Sequence, residues 1–385
     1  MINLGELVSI KGGGTPSRDR AEYWNGNIPW ASVKDITSLS LNKTLETITE
    51  LGLKNSATNL YSAGTIIIPT RMALGKVTIS SIDLAINQDL KALVINDTQK
   101  LTKEYLKYFL IAKSKEIELS GKGATVKGIT VDVIKNLKIN LPDLPTQTKI
   151  AQILDKADQI RQKRKKAIEL ADEFLRSLFL EMFGDPVVNP KGWEVEKLVN
   201  LSVAKPTYGA GASAIAYNHK FRYIRITDIL ENGTLNNDKK SAEIDEKEIE
   251  KYLLNDGDIL FARSGATVGK TFLFTDKIEK SIYAGYLIRF QINKNKVLPE
   301  YIFNFTKTAA YQSWVKSHMK TVAQPNINAQ QYSDLEIIIP PMEIQIKFVE
   351  IVNKIEKYKE NLEKQVQFSD ELFNSLSQQY FTKAE

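Results

Sequence analysis

The chain has 385 residues, with 52 Lys and Arg against 46 Asp and Glu, two His and no Cys. The missing Cys exclude disulfides, thiolate zinc sites, iron–sulfur clusters and cysteine nucleophiles, and a 43% hydrophobic, 25% charged composition excludes a mainly disordered chain. The length predicts two or three domains, and a net charge of +6 with a pI near 9.0 permits a polyanionic partner without requiring one.

Met1 to Gly14 lacks a basic n-region and carries Glu6, so no signal peptide is predicted. The longest aliphatic runs, Ile66–Ile68 and Ile337–Ile339, are far too short for a membrane helix, and a cytoplasmic chain is expected. Residues 1–140 show short β-type runs at 65–68, 77–80 and 92–95, punctuated by Gly, Asn, Asp and Pro. Two stretches, 102–119 and 299–317, read as helices. From Gln147 to Phe183, apolar residues such as Ile150, Leu154, Ile160, Ala171, Leu175 and Met182 keep helical spacing, with Thr146 predicted as the N-cap and Gly184 and Pro186 as the stop. A second such helix is predicted over 345–381, with Phe348, Ile351, Val352, Tyr358, Leu362 and Leu372 on its stripe. Each stripe needs a partner, and the simplest partner is the other helix.

The chain repeats itself at about half its length. Leu137–Pro142 matches Leu335–Pro340, and with the same offset Gln147 meets Gln345, Lys149 meets Lys347, Asp172–Glu173 meets Asp370–Glu371 and Phe183 meets Phe381. Earlier in the chain Trp30–Ile36 matches Tyr223–Ile229, and each half has an Arg (Arg71, Arg263) followed by Gly-Lys (Gly75-Lys76, Gly269-Lys270). The expected organisation is a first domain over 1–145, a long helix over 146–183, a linker over 184–192, a second domain over 193–343 and a second long helix over 344–383.

No active site is read from the residues. His219 and His318 lack flanking carboxylate motifs, so neither is predicted as a metal ligand or catalyst. Ser264–Thr271 imitates a P-loop but has Ser where the first Gly belongs, and the residues after it read as strand rather than helix. Asn27–Trp30 and the Pro142-Asp143 with Gln147 and Lys149 group are likewise poor imitations of a methyltransferase signature and a nuclease triad. What remains is a binding constellation of Gly-rich, basic and aromatic loops. In the first half it comprises Thr15, Ser17 and Arg18 in the Lys11–Arg18 loop, Lys34, Arg71 and Lys76; in the second, Lys220, Arg225, Arg263 and Lys270 beside Tyr208–Gly211. Gly lets a backbone approach phosphate closely, hydroxyls donate to its oxygens, and Arg and Lys neutralise phosphate or read base edges. Each residue also has a plain reading as a turn or a solvated charge. The basic run Arg161–Lys166 lies on the first long helix with its facing open.

The opening Leu4–Ser17 followed by Ile28–Ile36, then Leu141–Ile150, Met182–Pro186 through Gly192-Trp193, and Gln324–Asn328 before Ile337–Pro341 resemble the specificity (S) subunit of type I restriction–modification enzymes. The first copy departs at Thr125–Thr130, which lacks the Gln-Pro-Asn of the second. The resemblance covers essentially the whole chain. It implies an α+β fold of two tandem target recognition domains of similar fold, separated by two long antiparallel helices forming a coiled-coil spacer. It implies a non-catalytic subunit that binds a bipartite, asymmetric site in double-stranded DNA and positions two methyltransferase subunits and the restriction/translocase subunits. S-adenosylmethionine, ATP and Mg would then belong to those partners, with no cofactor on this chain. The alternative is a non-catalytic scaffold or DNA-binding protein outside a restriction system.

Overall fold

The computed structural model describes residues 1–123, 126–319 and 325–381. Thr125, Gln324 and the predicted helix end at 382–383 lie outside the described residues. The chain divides into two compact units, one of Met1–Lys165 with Lys364–Glu385 and one of Lys166–Glu363. Both divisions fall inside the long helices, so each unit holds one α+β domain and a part of each helix.

In the first unit a five-stranded sheet runs in the order Val8–Gly12, Leu90–Ile95, Ile66–Pro69, Thr78–Ser80 and Ser40–Leu41. A four-stranded sheet orders Glu46–Ile48, Trp24–Ala31, Leu84–Ile86 and Leu60–Tyr61. Ile66, Ile67 and Ile68 are all buried, as a strand covered on both faces requires. In the second unit Thr207–Tyr208, Leu287–Gln291, Asp258–Ala262 and Thr271–Leu273 form the corresponding sheet, and Arg222–Ile224 pairs in parallel with Ser281–Tyr283 as Trp24–Ala31 does with Leu84–Ile86. Thr271–Leu273 is a strand, as expected from the failed P-loop.

The two predicted shorter helices are each broken. The first runs Lys103–Ala112 and resumes at Ser114–Leu119, with Lys113 between. The second runs Pro299–Phe305 and Ala309–Met319, because the Thr308 hydroxyl accepts from the Tyr311 N–H at 3.3 Å and starts a new helix.

The long helices span Leu144–Phe183 and Met342–Phe381, 40 residues each. Asp143, not Thr146, caps the first: its carboxylate accepts from the Thr146 N–H at 3.0 Å, and hydrogen bonds from Thr146 hold its pKa below the ordinary carboxylate value. Thr146 falls inside the first turn because Leu144 and Pro145 already have helical backbone, a place where Pro loses nothing.

One buried glutamine ties each long helix to its domain. Gln147 accepts from the Thr102 N–H at 2.9 Å and donates to the carbonyls of Lys100 and Pro142 at 2.7 and 2.9 Å. Its repeat mate Gln345 accepts from the Leu298 N–H at 2.9 Å and donates to the Pro340 carbonyl at 2.8 Å. A tyrosine completes each joint: Tyr105 donates to the Asn140 carbonyl at 2.9 Å, and Tyr301 to the Ile338 carbonyl at 2.7 Å. Each core is then closed by the end of the long helix from the other half. Phe381 packs tilted against Tyr105 with centroids 5.0 Å apart, and Phe183 packs edge-to-face against Tyr301 at 4.8 Å.

The helices run antiparallel within each unit. In the first, Arg161 meets Asp370 at 3.5 Å and Arg164 donates to the Gln365 carbonyl at 3.1 Å and to the Ser369 hydroxyl. In the second, Lys359 meets Asp172 at 2.6 Å. These are the same contact in two copies, since the repeat that sets Gln147 on Gln345 also sets Arg161 on Lys359 and Asp172 on Asp370. Each cation also holds the acid one turn before it, Asp158 or Glu356. The expected continuous apolar stripe is therefore interrupted: Ile160, Tyr358 and Leu372 are exposed, because near these positions charged pairs replace apolar contact. The linker at 184–192 folds back as a cap, with Gly184 at φ +82°. Lys191 donates to the carbonyls of Glu181 and Met182 and Trp193 to that of Phe183, at 2.8–2.9 Å, which satisfies carbonyls that a helix end leaves bare.

Candidate nucleic-acid interface

Several predicted contact residues make bonds within the chain. Arg18 forms a two-pronged pair with Glu46, at 2.5 and 2.9 Å, and lies 3.7 Å over the Trp24 ring. The bond to Glu46 raises the Arg18 pKa and lowers that of Glu46. Arg225 grips both oxygens of the fully buried Asp228 at 3.0 and 2.6 Å and reaches Asp238 at 3.2 Å, and its bond to Asp228 raises its pKa. Asp228 also accepts from the Arg225 backbone N–H at 2.9 Å, as Asp35 does from Ser32 at 2.8 Å, so one acid shapes the same turn in both copies.

Lys76 donates to the Ile36 carbonyl at 3.2 Å, and Lys270 to the Ile229 carbonyl at 3.3 Å and to Glu231 at 2.8 Å. The repeated Gly-Lys pair thus pins the turn after each acid, with one ammonium donor of each lysine on a backbone carbonyl. Lys220 pairs with Glu246 at 2.9 Å on the surface, a contact of small energetic weight. The glycine loops also have an internal use: a side chain at Gly13 would overlap the Ile86 carbonyl, and one at Gly209 the Tyr283 carbonyl. The close backbone approach read from these glycines is to the neighbouring strand.

The remaining groups gather. In the first unit Thr15 and Lys34 line one hollow with Gln88 and Met72. Thr15 Oγ1 donates to Gln88 Oε1 at 2.5 Å, and Ser17 and Lys34 are exposed. Arg71, next to Met72, keeps 66% of its side chain exposed with Asp89 3.9 Å away, and lines a second hollow with Lys122 and Gly128. Lys91 is drawn in by donating to the Gln88 carbonyl at 2.5 Å. Burial lowers its pKa, Asp89 opposes that and the Arg71 charge adds to it. In the second unit Arg263 lies 4.8 Å over the Tyr208 ring and donates to Asn326 Oδ1 at 3.3 Å. Its backbone N–H donates to the carbonyl of Tyr286, whose ring is exposed.

Arg71 and Arg263 are not equivalent. Thr70 and Arg263 each donate their N–H across the sheet, to Asp89 and Tyr286, and each accepts at 2.9 Å, from Ile129 and Ile327. Arg71 therefore matches Ser264, and their bridges to Gly128 and Asn326 correspond. Met72, Gln88, Lys91 and Tyr286 escaped the sequence reading. An isolated Met or Gln in a loop carries no periodic signal, and the Arg-to-Gly-Lys spacing hid the one-residue offset.

His219 packs against Tyr217 and His318 against Trp314, and among the described residues no group of His, Asp and Glu is placed to hold a metal. Among them, too, no helix is long and apolar enough to cross a membrane.

The model of the type I restriction modification DNA specificity domain matches residues 1–170 and again 190–368. The chain belongs to the type I specificity family. It is 24% identical over 389 residues to the MjaIX specificity subunit of Methanocaldococcus jannaschii, covering 94% of this chain and 87% of that one. It is 33% identical over 164 residues to the EcoR124I/EcoR124II specificity subunit of Escherichia coli, covering 41% and 40%. Its fold is similar to that of the type I S subunit from M. genitalium, with a TM-score of 0.58 at 15% identity over 100% of this chain and 96% of that one. Membership of the specificity family favours the restriction–modification reading over a scaffold outside such a system. It also accounts for two like α+β domains and two long helices in one chain.

Proposed function

We propose that this chain is the DNA-reading subunit of a type I restriction–modification complex, catalysing no step itself, and that each unit reads one half of a bipartite, asymmetric site. The observation that carries this is one scaffold bearing two unlike faces: Thr15, Lys34, Gln88, Met72 and Arg71 in one unit, and Tyr208, Arg263, Tyr286 and Asn326 in the other. Like scaffolds with unlike side chains recognise unlike sequences, because readout depends on which donors, acceptors and apolar groups meet base edges. Two methyltransferase subunits and the restriction/translocase subunits are the partners in this reading; they bring S-adenosylmethionine, ATP and Mg, and the complex works in the cytoplasm. The deciding experiment exchanges residues 1–145 for those of a relative and maps methylated sites in the host. One half-site should change and the other stay. A change in both, or a palindromic site, would sink the proposal.

The charged residues divide by their partners. In the assembled methyltransferase, Arg71→Ala should weaken DNA binding and reduce the slope of log affinity against log salt by about 0.9 if Arg71 touches phosphate. Lys76→Ala, which loses a carbonyl clamp, should leave that slope unchanged. Equal slopes for wild type and Arg71→Ala would remove Arg71 from the phosphate contacts.

A further inference from the structure

The turn after the Ile66–Pro69 strand and its counterpart in the second unit share one φ-positive residue bonded to the facing loop, with opposite side-chain content; beyond it Gly265–Thr267 forms a 3-10 turn that the first unit lacks there among the described residues. Met72 donates its N–H to the Lys127 carbonyl at 3.1 Å, and Gly265 donates to the Pro325 carbonyl at 3.2 Å. Their φ angles are +63° and +67°. Across Met72 the Ala73 N–H closes on the Arg71 carbonyl at 2.9 Å, a three-residue turn that is strained for any residue with a Cβ. Glycine is what this backbone requires, and the second unit has it.

Packing does not compensate the first unit for its methionine. Met72 is 60% exposed, and a Cβ built on Gly265 meets no atom within 4 Å. The position therefore points a side chain into open space. In the first unit that space is the hollow of Thr15, Lys34 and Gln88, beside Arg71. Those neighbours make hydrogen bonds or carry charge; Met72 supplies the exposed apolar group.

We infer that Met72 is a specificity-determining residue of the first unit, and that its side chain contacts the 5-methyl group of a thymine in the half-site that unit reads; this rests on the DNA-reading function proposed above. A thioether neither donates nor strongly accepts a hydrogen bond, and the apolar feature that a base pair presents in the major groove is the thymine methyl. The matching Gly265 leaves the second unit without such a contact, which adds to the asymmetry of the site.

The test uses the full chain assembled with its methyltransferase subunits and a randomised DNA duplex library. Met72→Ala and Met72→Gly should each lose about 5–10-fold of preference for thymine at one position of one half-site. Met72→Leu should keep it, and the other half-site should be unaltered in all three. Met72→Gly, which relieves the turn, should melt no lower than Met72→Ala. Replacing that thymine with uracil, which removes only the methyl, should weaken wild-type binding by a similar factor and leave Met72→Ala binding unaltered. Identical sequence preferences in wild type and variants, or equal sensitivity to uracil in wild type and Met72→Ala, would overturn the inference. A wild-type complex that selects no sequence would instead refute the DNA-reading function.

Discussion

Gln147→Ala is expected to destabilise the first unit by about 3 kcal/mol. The side chain is fully buried and answers one backbone N–H and two carbonyls. Alanine leaves the Thr102 N–H without that acceptor at the start of a helix, and a buried donor stranded in this way costs about 1–3 kcal/mol. The cavity left by the side chain adds to the loss. Gln345→Ala should do the same to the second unit through Leu298. Urea unfolding followed by tryptophan fluorescence measures the total, and hydrogen exchange at the Thr102 amide isolates the joint. A loss below about 1 kcal/mol, or unchanged protection at Thr102, would show that the joint is dispensable.

Asp172→Ala should be costlier than its half-buried position suggests, at about 2 kcal/mol, because it takes one of two acids from a buried ammonium and leaves Glu356 alone to hold it. The Lys359 side chain is only 6% exposed and lies 2.6 Å from Asp172. Burial pulls its pKa down, but the Asp172 hydrogen bond and the Glu356 charge outweigh that, and the net shift is upward from 10.5. A lysine whose folded pKa is raised contributes stability that is fully present below its unfolded value and is lost as pH rises through the folded one. The pair's contribution should therefore be flat at neutral pH and fade only above about pH 10.5. Lys359→Met with Asp172→Leu should recover most of the loss, since a well-packed apolar pair replaces a buried ion pair at little cost. Thermal unfolding of the single and double variants tests this; a double variant as unstable as Asp172→Ala would mean that the charges themselves are required.

Much of this architecture was legible because the second half of each repeat keeps a gapless offset. Reading Gln147 on Gln345, Asp172 on Asp370 and Phe183 on Phe381 already names the joint, the cross-helix acid and the closing aromatic, although their bonds are seen only in three dimensions. The contact residues were less legible. Arg18 reads as a free cation because its acid, Glu46, starts a strand 28 residues on, and Arg225 because a residue string does not show the turn that folds Asp228, three residues later, back onto it. Lys76 and Lys270 gave no sign of being clamps, since a carbonyl acceptor leaves no trace in a residue string. Arg71 and Arg263 looked equivalent until strand pairing showed them one residue apart, and along a strand one residue decides which side a chain faces. The helix breaks at Lys113 and Thr306–Thr308 went unseen because apolar spacing continues across them.

Helix-end aromatics that close the opposite half's core set an order of events during synthesis. The first unit needs Phe373 and Phe381 against Tyr108 and Tyr105, yet these are made more than 200 residues after Leu154, which shares that core. At about 5–20 residues per second the ribosome takes roughly 10–40 s to supply them. The second unit receives Phe183 before its own domain is translated, so the half encoded first is the last to be sealed. A chain stopped near Lys364 would retain every residue of the second unit and leave the first one open, placing the injury at the opposite end of the gene product from the lesion.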